Sequence, residues 1–542
     1  MLHTARLRTL ASSLSAEAGV TRAIAAATSG LLCWATSPGV DLWPLAFVCW
    51  APLLLALHGV RPRAAFWLGT LQGLTFNLAL GSWLFHTLRV FGRYSSLTCA
   101  ALMAAICAYH GLRNGVLAWL QARSVRHGWP PGLAFGLALA ASETAYPALF
   151  PWYSAAHVHS VPVLMQLAEL GGPVLVSLTL AGSSVALAEL GWARSEHRAV
   201  ELRRLGLALL GPLLLLAYGL WRLPAVEAQL AEAPELSVGI IQANLPHASK
   251  RPEAAEELHR AESTALEAAR RPALIVWPET AVKAILPEHR LGEHLHQAVF
   301  GNGPEPVLHT AVLTGAIARR EGDGPSGARH FNIAALLDEQ GTLRGTYYKN
   351  VLFPLGEYIP LGDFFPRLYQ WIPNAGQLTA GTASEPVLFQ GHRLTVFICF
   401  EDVLPAFVNR AIAQGAPELL VTLSNDVWFG QTREPLIHQA LAKFRAVEHR
   451  RYLVRATNSG PSSIVDPMGQ SLEEAPLFER SARVGSVRLL KSSTPYEVLG
   501  DGPWWLATLV AFMMAWVRRP EQRRGEGRRR GRAARGLAGA RR

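Results

Sequence analysis

RLTVFICFEDVLP (393–405) sets an apolar run of strand character against a single thiol, Cys399, and then turns at once into Phe-Glu-Asp. Branched and aromatic side chains without alternation predict a strand over 394–400 that is buried on both faces. A nucleophile at the end of such a strand stands at the edge of a sheet, where α/β sites are generally built. The chain has five cysteines, and Cys399 is the only one outside its hydrophobic segments.

The surroundings of this strand repeat its pattern. LSVGIIQAN (236–244), ALIVWPE (273–279), VLTGAIA (312–318), RHFNIAALLD (329–338) and ELLVTLSND (418–426) read as further strands. EAAEELHRAESTALEAAR (253–270) and PLIHQALAKFRAVEHRRY (435–452) carry the apolar spacing of amphipathic helices. Strands alternating with helices predict a layered α/β domain over 225–500.

Two more polar residues sit at strand ends in this domain. Glu279 closes ALIVWPE, and Lys349 follows GTLRGTYY. Together with Cys399 they form a set that chemistry can use. A thiol attacks only as thiolate, which a nearby cation favours. A glutamate can take the thiol proton and return it to a leaving group. A lysine can stabilise the oxyanion of a tetrahedral intermediate. Attack on a carbonyl then yields a thioester. Spacing alone does not bring the three together, and each also reads as an ordinary structural residue.

Outside 225–500 the composition changes. The chain of 542 residues is half hydrophobic and 17% charged, and its mean hydropathy is +0.18. Apolar residues crowd into 20–222 and 503–517. Seven segments, near 20–37, 42–59, 64–88, 95–120, 131–150, 162–190 and 203–222, read as membrane spans of an N-terminal transmembrane domain (1–224). An eighth lies within 501–518. At 15 residues, PWWLATLVAFMMAWV is short for a span, and an interfacial helix is its alternative. The first segment does not read as a cleaved signal peptide. Basic residues collect in alternate loops: Arg6 and Arg8; Arg61 and Arg63; Arg123 and Arg126; Arg194, Arg198, Arg203 and Arg204. This places both termini in the cytoplasm and residues 225–500 on the far side. Residues 518–542 hold eleven Arg and two Glu, most of the chain's net +11. A block of like charge beside a span reads as a cytoplasmic tail (519–542), and no nucleic-acid recognition motif accompanies it. No disulfide framework, internal repeat or metal-ligand spacing is present.

WPET (277–280), YYKNVLFPLGEYIP (347–360), CFED (399–402) and SNDVWFG (424–430), in that order, resemble the nitrilase (carbon–nitrogen hydrolase) superfamily. Within it the chain is similar to the membrane-embedded apolipoprotein N-acyltransferase family, and FPW (150–152) extends the likeness into the apolar half. The resemblance implies an α-β-β-α sandwich carried by a polytopic helical membrane domain of the bacterial inner membrane. It implies a base at Glu279, an oxyanion stabiliser at Lys349, a nucleophile at Cys399, a second essential carboxylate at Glu357 and a supporting acid at Glu401. It implies acyl transfer from a phospholipid to the N-terminal amine of a diacylglyceryl apolipoprotein through a thioester, without metal or cofactor. Nothing in the sequence suggests an obligate oligomer, so a monomer is expected. Arg251 follows Lys250 where the family often has an aromatic residue, and Phe400 stands where tyrosine is common.

Two other readings compete. A membrane-tethered amidase hydrolysing a small amide would keep the three residues. A transporter or receptor that only binds would carry intramembrane charges along a path. Arg113 and Glu143 are the main candidates, Arg113 snorkelling to the cytoplasmic end and Glu143 facing the helix bundle.

Overall fold

The computed structural model describes residues 2–246, 252–322, 327–362, 364–371 and 376–519. Lys250, Arg251 and nearly all of the Arg-rich tail lie outside the described residues.

The N-terminal half is helical: α1 (Leu2–Ala35), α2 (Ala51–Ala56), α3 (Pro62–Leu80), α4 (Trp83–Val90), α5 (Ser96–Arg126), α6 (Pro131–Ala145), α7 (Ala168–Ser195) and α8 (Leu202–Glu232). Helices α3 and α5 approach through two small-residue rows, Gly69 and Gly73 against Gly111 and Gly115. A Cβ at Gly69 would lie 2.2 Å from the Asn114 carbonyl oxygen, and one at Gly73 2.8 Å from that of Gly111. Such rows let helix backbones touch where no water drives association.

The seven expected segments do not become seven uniform spans. Segment 42–59 folds as a 3-10 turn (Trp43–Phe47) and the six-residue α2, each with a proline in its first turn. Segment 64–88 breaks at Gly81 and Ser82 into α3 and α4. Helix α7 is kinked at Gly171 and Gly172, where Gly172 has φ +67°. Among the described residues, only α7 and α8 are long and apolar enough to cross a membrane by themselves. Gln72, His110, Arg113 and Asn114 dilute α3 and α5, and all four are buried. Arg113 does not snorkel: it donates to the Trp152 carbonyl at 2.9 Å and lies 3.9 Å from Glu143. Helix α8 runs on to Glu232, so the boundary expected at 224/225 falls inside a helix.

The rest is built on two sheets. In chain order the elements are β1 (Glu235–Gln242), α9 (Pro252–Arg270), β2 (Leu274–Val276), β3 (Ile285–Pro287), α10 (Leu291–Phe300), β4 (Ala311–Glu321), β5 (Ala328–Leu337), β6 (Leu343–Tyr348), α11 (Leu368–Trp371), β7 (Val387–Phe389), β8 (His392–Ile398), α12 (Pro405–Gly415), β9 (Leu419–Ser424), α13 (Glu434–His449), β10 (Tyr452–Thr457), β11 (Ser463–Val465), β12 (Ser471–Leu472), β13 (Ser481–Arg488), α14 (Pro495–Leu499) and α15 (Gly502–Trp516). One sheet runs β13-β1-β2-β4-β5-β6 with β3 on β4, and the other β12-β11-β10-β9-β8-β7.

Side-chain alternation assembles the layers. Leu274 and Val276 of β2 join Val396, Ile398 and Val421 of the opposite sheet in one core. Ile275 and Trp277 face the other way, onto Leu266 of α9 and Leu295 of α10. Phe397 and Leu420 likewise pack on Val408 of α12 and Ala442 of α13. The order is α-β-β-α. Strands covered on both faces carry no polar alternation, which is why they read as continuous apolar runs.

A buried cation fastens the two halves. Arg450, after α13, donates to Glu169 at 2.6 Å and to Gln166 at 2.7 Å beside the α7 kink. Arg222 and Tyr218 of α8 close on the same carboxylate at 2.6 and 2.5 Å.

Candidate active site

Three strand ends meet at one end of the sandwich. The chain leaves β2 through Trp277 and Pro278 to Glu279. A Cβ at Gly315 of β4 would lie 2.6 Å from the Thr280 nitrogen, so only glycine lets this turn lie flat on the sheet. Lys349 directly follows β6, and its N–H donates to the Asn332 carbonyl at 2.9 Å. Cys399 directly follows β8 with φ +53°. A left-handed backbone at a non-glycine residue costs about 1–3 kcal/mol. Here it ends the strand abruptly and leads into the 3-10 turn Cys399–Val403.

The side chains converge. Lys349 Nζ lies 2.8 Å from Glu357 Oε1 and 3.4 Å from Glu279 Oε1. Asn332 Nδ2 donates to the same two oxygens, at 3.1 and 2.7 Å. Glu357 comes from the loop after β6 and is held there by the Phe353 N–H, 2.7 Å from its Oε2. Oε2 of Glu279 is buried and has no hydrogen-bond partner. It is the one carboxylate oxygen of the Glu279–Glu357 pair left free to accept a proton.

Electrostatics set the resting state. Burial opposes the Lys349 charge, but Glu357 and Glu279 outweigh it and hold the ammonium well above its usual range. Burial pushes the Cys399 thiol well up, and Glu279 adds to the rise while Lys349 opposes it. Burial, offset in part by Lys349, also raises Glu279. The resting pair is therefore a neutral thiol and a strengthened base, beside a fixed cation.

Glu401 does not point at the thiol. Its carboxylate turns back and accepts the Ile398 N–H at 2.8 Å, the Asn350 N–H at 2.6 Å, the Val351 N–H at 2.9 Å and the Tyr347 hydroxyl at 2.8 Å. It ties the backbone after Lys349 to the backbone before Cys399. Glu401→Gln places an amide NH2 against these donors. Its carbonyl can keep the Asn350 and Val351 N–H groups, but the buried Ile398 N–H then faces the NH2, a cost of about 1–3 kcal/mol. The expected outcome is a lower melting temperature together with a reduced maximal rate, read by thermal unfolding and initial rates. A variant with wild-type stability would refute the tie.

Phe400, where a hydroxyl is missing, packs edge-on to Phe353 with ring centroids 5.4 Å apart. These rings join Trp83 and Phe150 of the helical half, and Phe429, in walling a small cavity that opens on Cys399. Glu434 and His438 also line it, and with Asp402, Asp426 and Arg455 they form a polar group that sequence reasoning missed. SNDVWFG contains Asp426, and Asp402 follows Glu401, but nothing local marks their meeting. Asn332 was also missed, although a lone amide inside a buried strand was a usable signal. Asp426, Glu434 and His438 are the one group of metal-ligand type among the described residues.

A double sheet with glutamate, lysine and cysteine at one end defines an enzyme of the carbon–nitrogen hydrolase class, and the Carbon-nitrogen hydrolase family matches residues 237–490. The Apolipoprotein N-acyltransferase N-terminal domain matches residues 29–186. An apolipoprotein N-acyltransferase of Azotobacter vinelandii is 34% identical over 529 residues, 93% of this chain and 96% of its own. One from Pseudomonas aeruginosa is 33% identical over 503 residues, 89% of this chain and 94% of its own. The chain belongs to the apolipoprotein N-acyltransferase family. Among solved structures, an amidase of Nesterenkonia covers 51% of this chain and 98% of its own at 20% identity, with a TM-score of 0.36.

Proposed function

We propose that the chain transfers a fatty acyl group from a glycerophospholipid to the N-terminal α-amine of the diacylglyceryl-cysteine of apolipoproteins, through a thioester on Cys399. The observation that carries this reading is the cavity on Cys399, walled from both halves of the molecule by Trp83, Phe150, Phe353 and Phe429. A small amide has no use for an apolar wall supplied by the helical half, whereas an acyl chain does.

In the first step Glu279 takes the thiol proton and Sγ attacks the ester carbonyl. Lys349 faces the oxyanion, and Glu357 holds Lys349. The C–O bond breaks, and Glu279 returns the proton to the lysophospholipid oxygen. In the second step the neutral α-amine attacks the thioester carbonyl and gives its proton to Glu279. The C–S bond breaks, and the proton returns to Sγ.

The setting is a multi-pass bacterial inner-membrane enzyme. Residues 1–224 form its membrane domain, 225–500 its periplasmic catalytic domain, 501–518 a C-terminal span and 519–542 a cytoplasmic tail. It works as a monomer. Moving a free chain into water costs about 0.8 kcal/mol per CH₂, so a donor delivered from the bilayer is favoured. Leu213, Leu220 and Trp221 on α8 are exposed, as are Leu361, Phe364 and Phe365 in the loop after Glu357. These are surfaces for lipid.

The test incubates the detergent-purified enzyme with a phospholipid carrying a labelled acyl chain and a diacylglyceryl lipopeptide. Label is expected as amide on the lipopeptide. Free fatty acid with no labelled lipopeptide would instead establish a hydrolase.

A further inference from the structure

Glu434 opens α13 and lines the same cavity as Cys399, yet no step above uses it. Its Oε2 is buried without a hydrogen-bond partner, and so is Oδ2 of Asp426. Ligand-type atoms of Glu434, Asp426 and His438 all lie within 4.8 Å of one another. Two buried carboxylates that each keep an orphaned oxygen within one cluster call for a shared occupant, either a metal ion or a proton.

His438 decides between them. Its Nδ1 lies 3.2 Å from Asp426 Oδ1 and its Nε2 2.9 Å from Asp402 Oδ1. Ser424 also donates to Asp426 Oδ1, at 2.7 Å. A ring with a carboxylate on each nitrogen is an imidazolium, and an imidazolium has no lone pair for a metal. Arg455 pairs with the other oxygen of Asp402. Two aspartates are thus balanced by one imidazolium and one guanidinium. An ionised Glu434 would add one uncompensated negative charge to a buried group.

We propose that Glu434 is a positioning residue that keeps a proton, donates it to Asp426, and so holds a negative charge away from Cys399. This rests on Cys399 as the reactive thiol of the reading above and not on the acyl donor. The titratable groups facing Glu434 agree with this. Burial raises it to about 8; His438 and Arg455 oppose the rise, and Asp426 and Asp402 add to it. His438 stays charged: burial works against it, but Asp402 and Asp426 hold it up to about 10. Above that range for Glu434 the cluster becomes anionic. Cys399 already feels Asp426 as a charge that resists thiolate formation, and an ionised Glu434 would add to it.

The test compares the full-length enzyme with Glu434→Gln, which keeps a hydrogen-bond donor and removes the ionisation. Alkylation of Cys399 by uncharged iodoacetamide, located by peptide mass, is followed at about pH 7 and about pH 9. In each protein the ratio of the two rates is read, so a change in overall fold or rate cancels. The ratio is expected to be about three- to tenfold larger in Glu434→Gln, the order of effect of one added charge at short range. Equal ratios overturn the proposal. So does a wild-type ratio that changes on EDTA treatment and returns with a divalent cation, which would put a metal there. Acyl-thioester formation from phospholipid is measured on the same samples. If no thioester forms while the ratios differ, the phospholipid reading falls and the role of Glu434 stands.

Discussion

Cys399→Ala abolishes the acyl-enzyme and lowers turnover on the order of 10⁴-fold or more, while the protein stays folded. The first half follows from the proposed role of the thiol, whose charge both Glu279 and Lys349 influence. The second half follows from its resting state. Burial and Glu279 keep the group protonated, so its removal strands no charge. The lost sulfur leaves a small gap at a site that is already 8% exposed, a cost of about 1 kcal/mol. Alanine also tolerates the φ of +53° about as poorly as cysteine does, so the backbone contribution hardly changes. Intact mass after incubation with phospholipid reads the result. Wild type gains one acyl mass that hydroxylamine removes, and the variant gains none. An acyl adduct on Cys399→Ala would move the nucleophile elsewhere and overturn the mechanism.

The ends of strands were the part of this site that a reader of the sequence could find. ALIVWPE and RLTVFIC are apolar because both faces of their sheets are covered, and the first polar or reactive residue after each marks where cover stops. Glu279 and Cys399 are those residues. Lys349 stands out for the same reason after β6. Glu357 and Glu401 were reached only through family wording, and the structure separates them: Glu357 touches Lys349, whereas Glu401 braces two backbones. Asn332 sits in mid-strand, where its amide spans Glu279 and Glu357, a contact between β5 and two loops that no local pattern contains. His438 and Glu434 lie four apart on one helix, but Asp402, Asp426 and Arg455 come from three other elements. In the helical half, hydropathy marked apolar stretches but not their geometry, and only α7 and α8 among the described residues are long and apolar enough to cross a membrane by themselves. Prolines at residues 44 and 52 and the Gly81-Ser82 break shorten helices, and the buried Gln72, Arg113 and Asn114 lower the hydropathy of long ones. Strand β13, SARVGSVR, escaped notice because it covers an edge with mixed polarity.

Lys349→Met is expected to combine the loss of activity with a pH-dependent loss of stability. The ammonium is 1% exposed and lies between Glu279 and Glu357. Methionine fills much the same space, so packing changes little and the electrostatic change stands alone. Without the cation the two carboxylates keep only the Asn332 amide between them, 2.7 and 3.1 Å from their oxygens. Removing one partner of a buried ion pair costs about 3–5 kcal/mol. The sign of the pH dependence follows from which groups are left. In wild type Glu357 and Glu279 raise the folded pKa of Lys349, so its contribution is complete below the unfolded lysine value and is lost only as pH rises beyond it; it is constant between about pH 5 and pH 8. In the variant the cation that holds Glu279 down is gone, so its folded value, already raised by burial, rises further, with Glu357 adding to the rise. A carboxyl raised in this way binds its proton more tightly in the folded state, so stability falls as pH climbs from about 4 through the raised value. The deficit in melting temperature should therefore be smaller at about pH 5 than at about pH 7.5. Turnover should fall on the order of 10³-fold or more, because both the thiolate and the oxyanion lose their cation. An equal deficit at both pH values would mean that the glutamates are not coupled through Lys349, and a stable but inactive variant would confine the lysine to chemistry. The coupled outcome makes one buried charge responsible both for holding two acids together and for turning a buried thiol into a nucleophile.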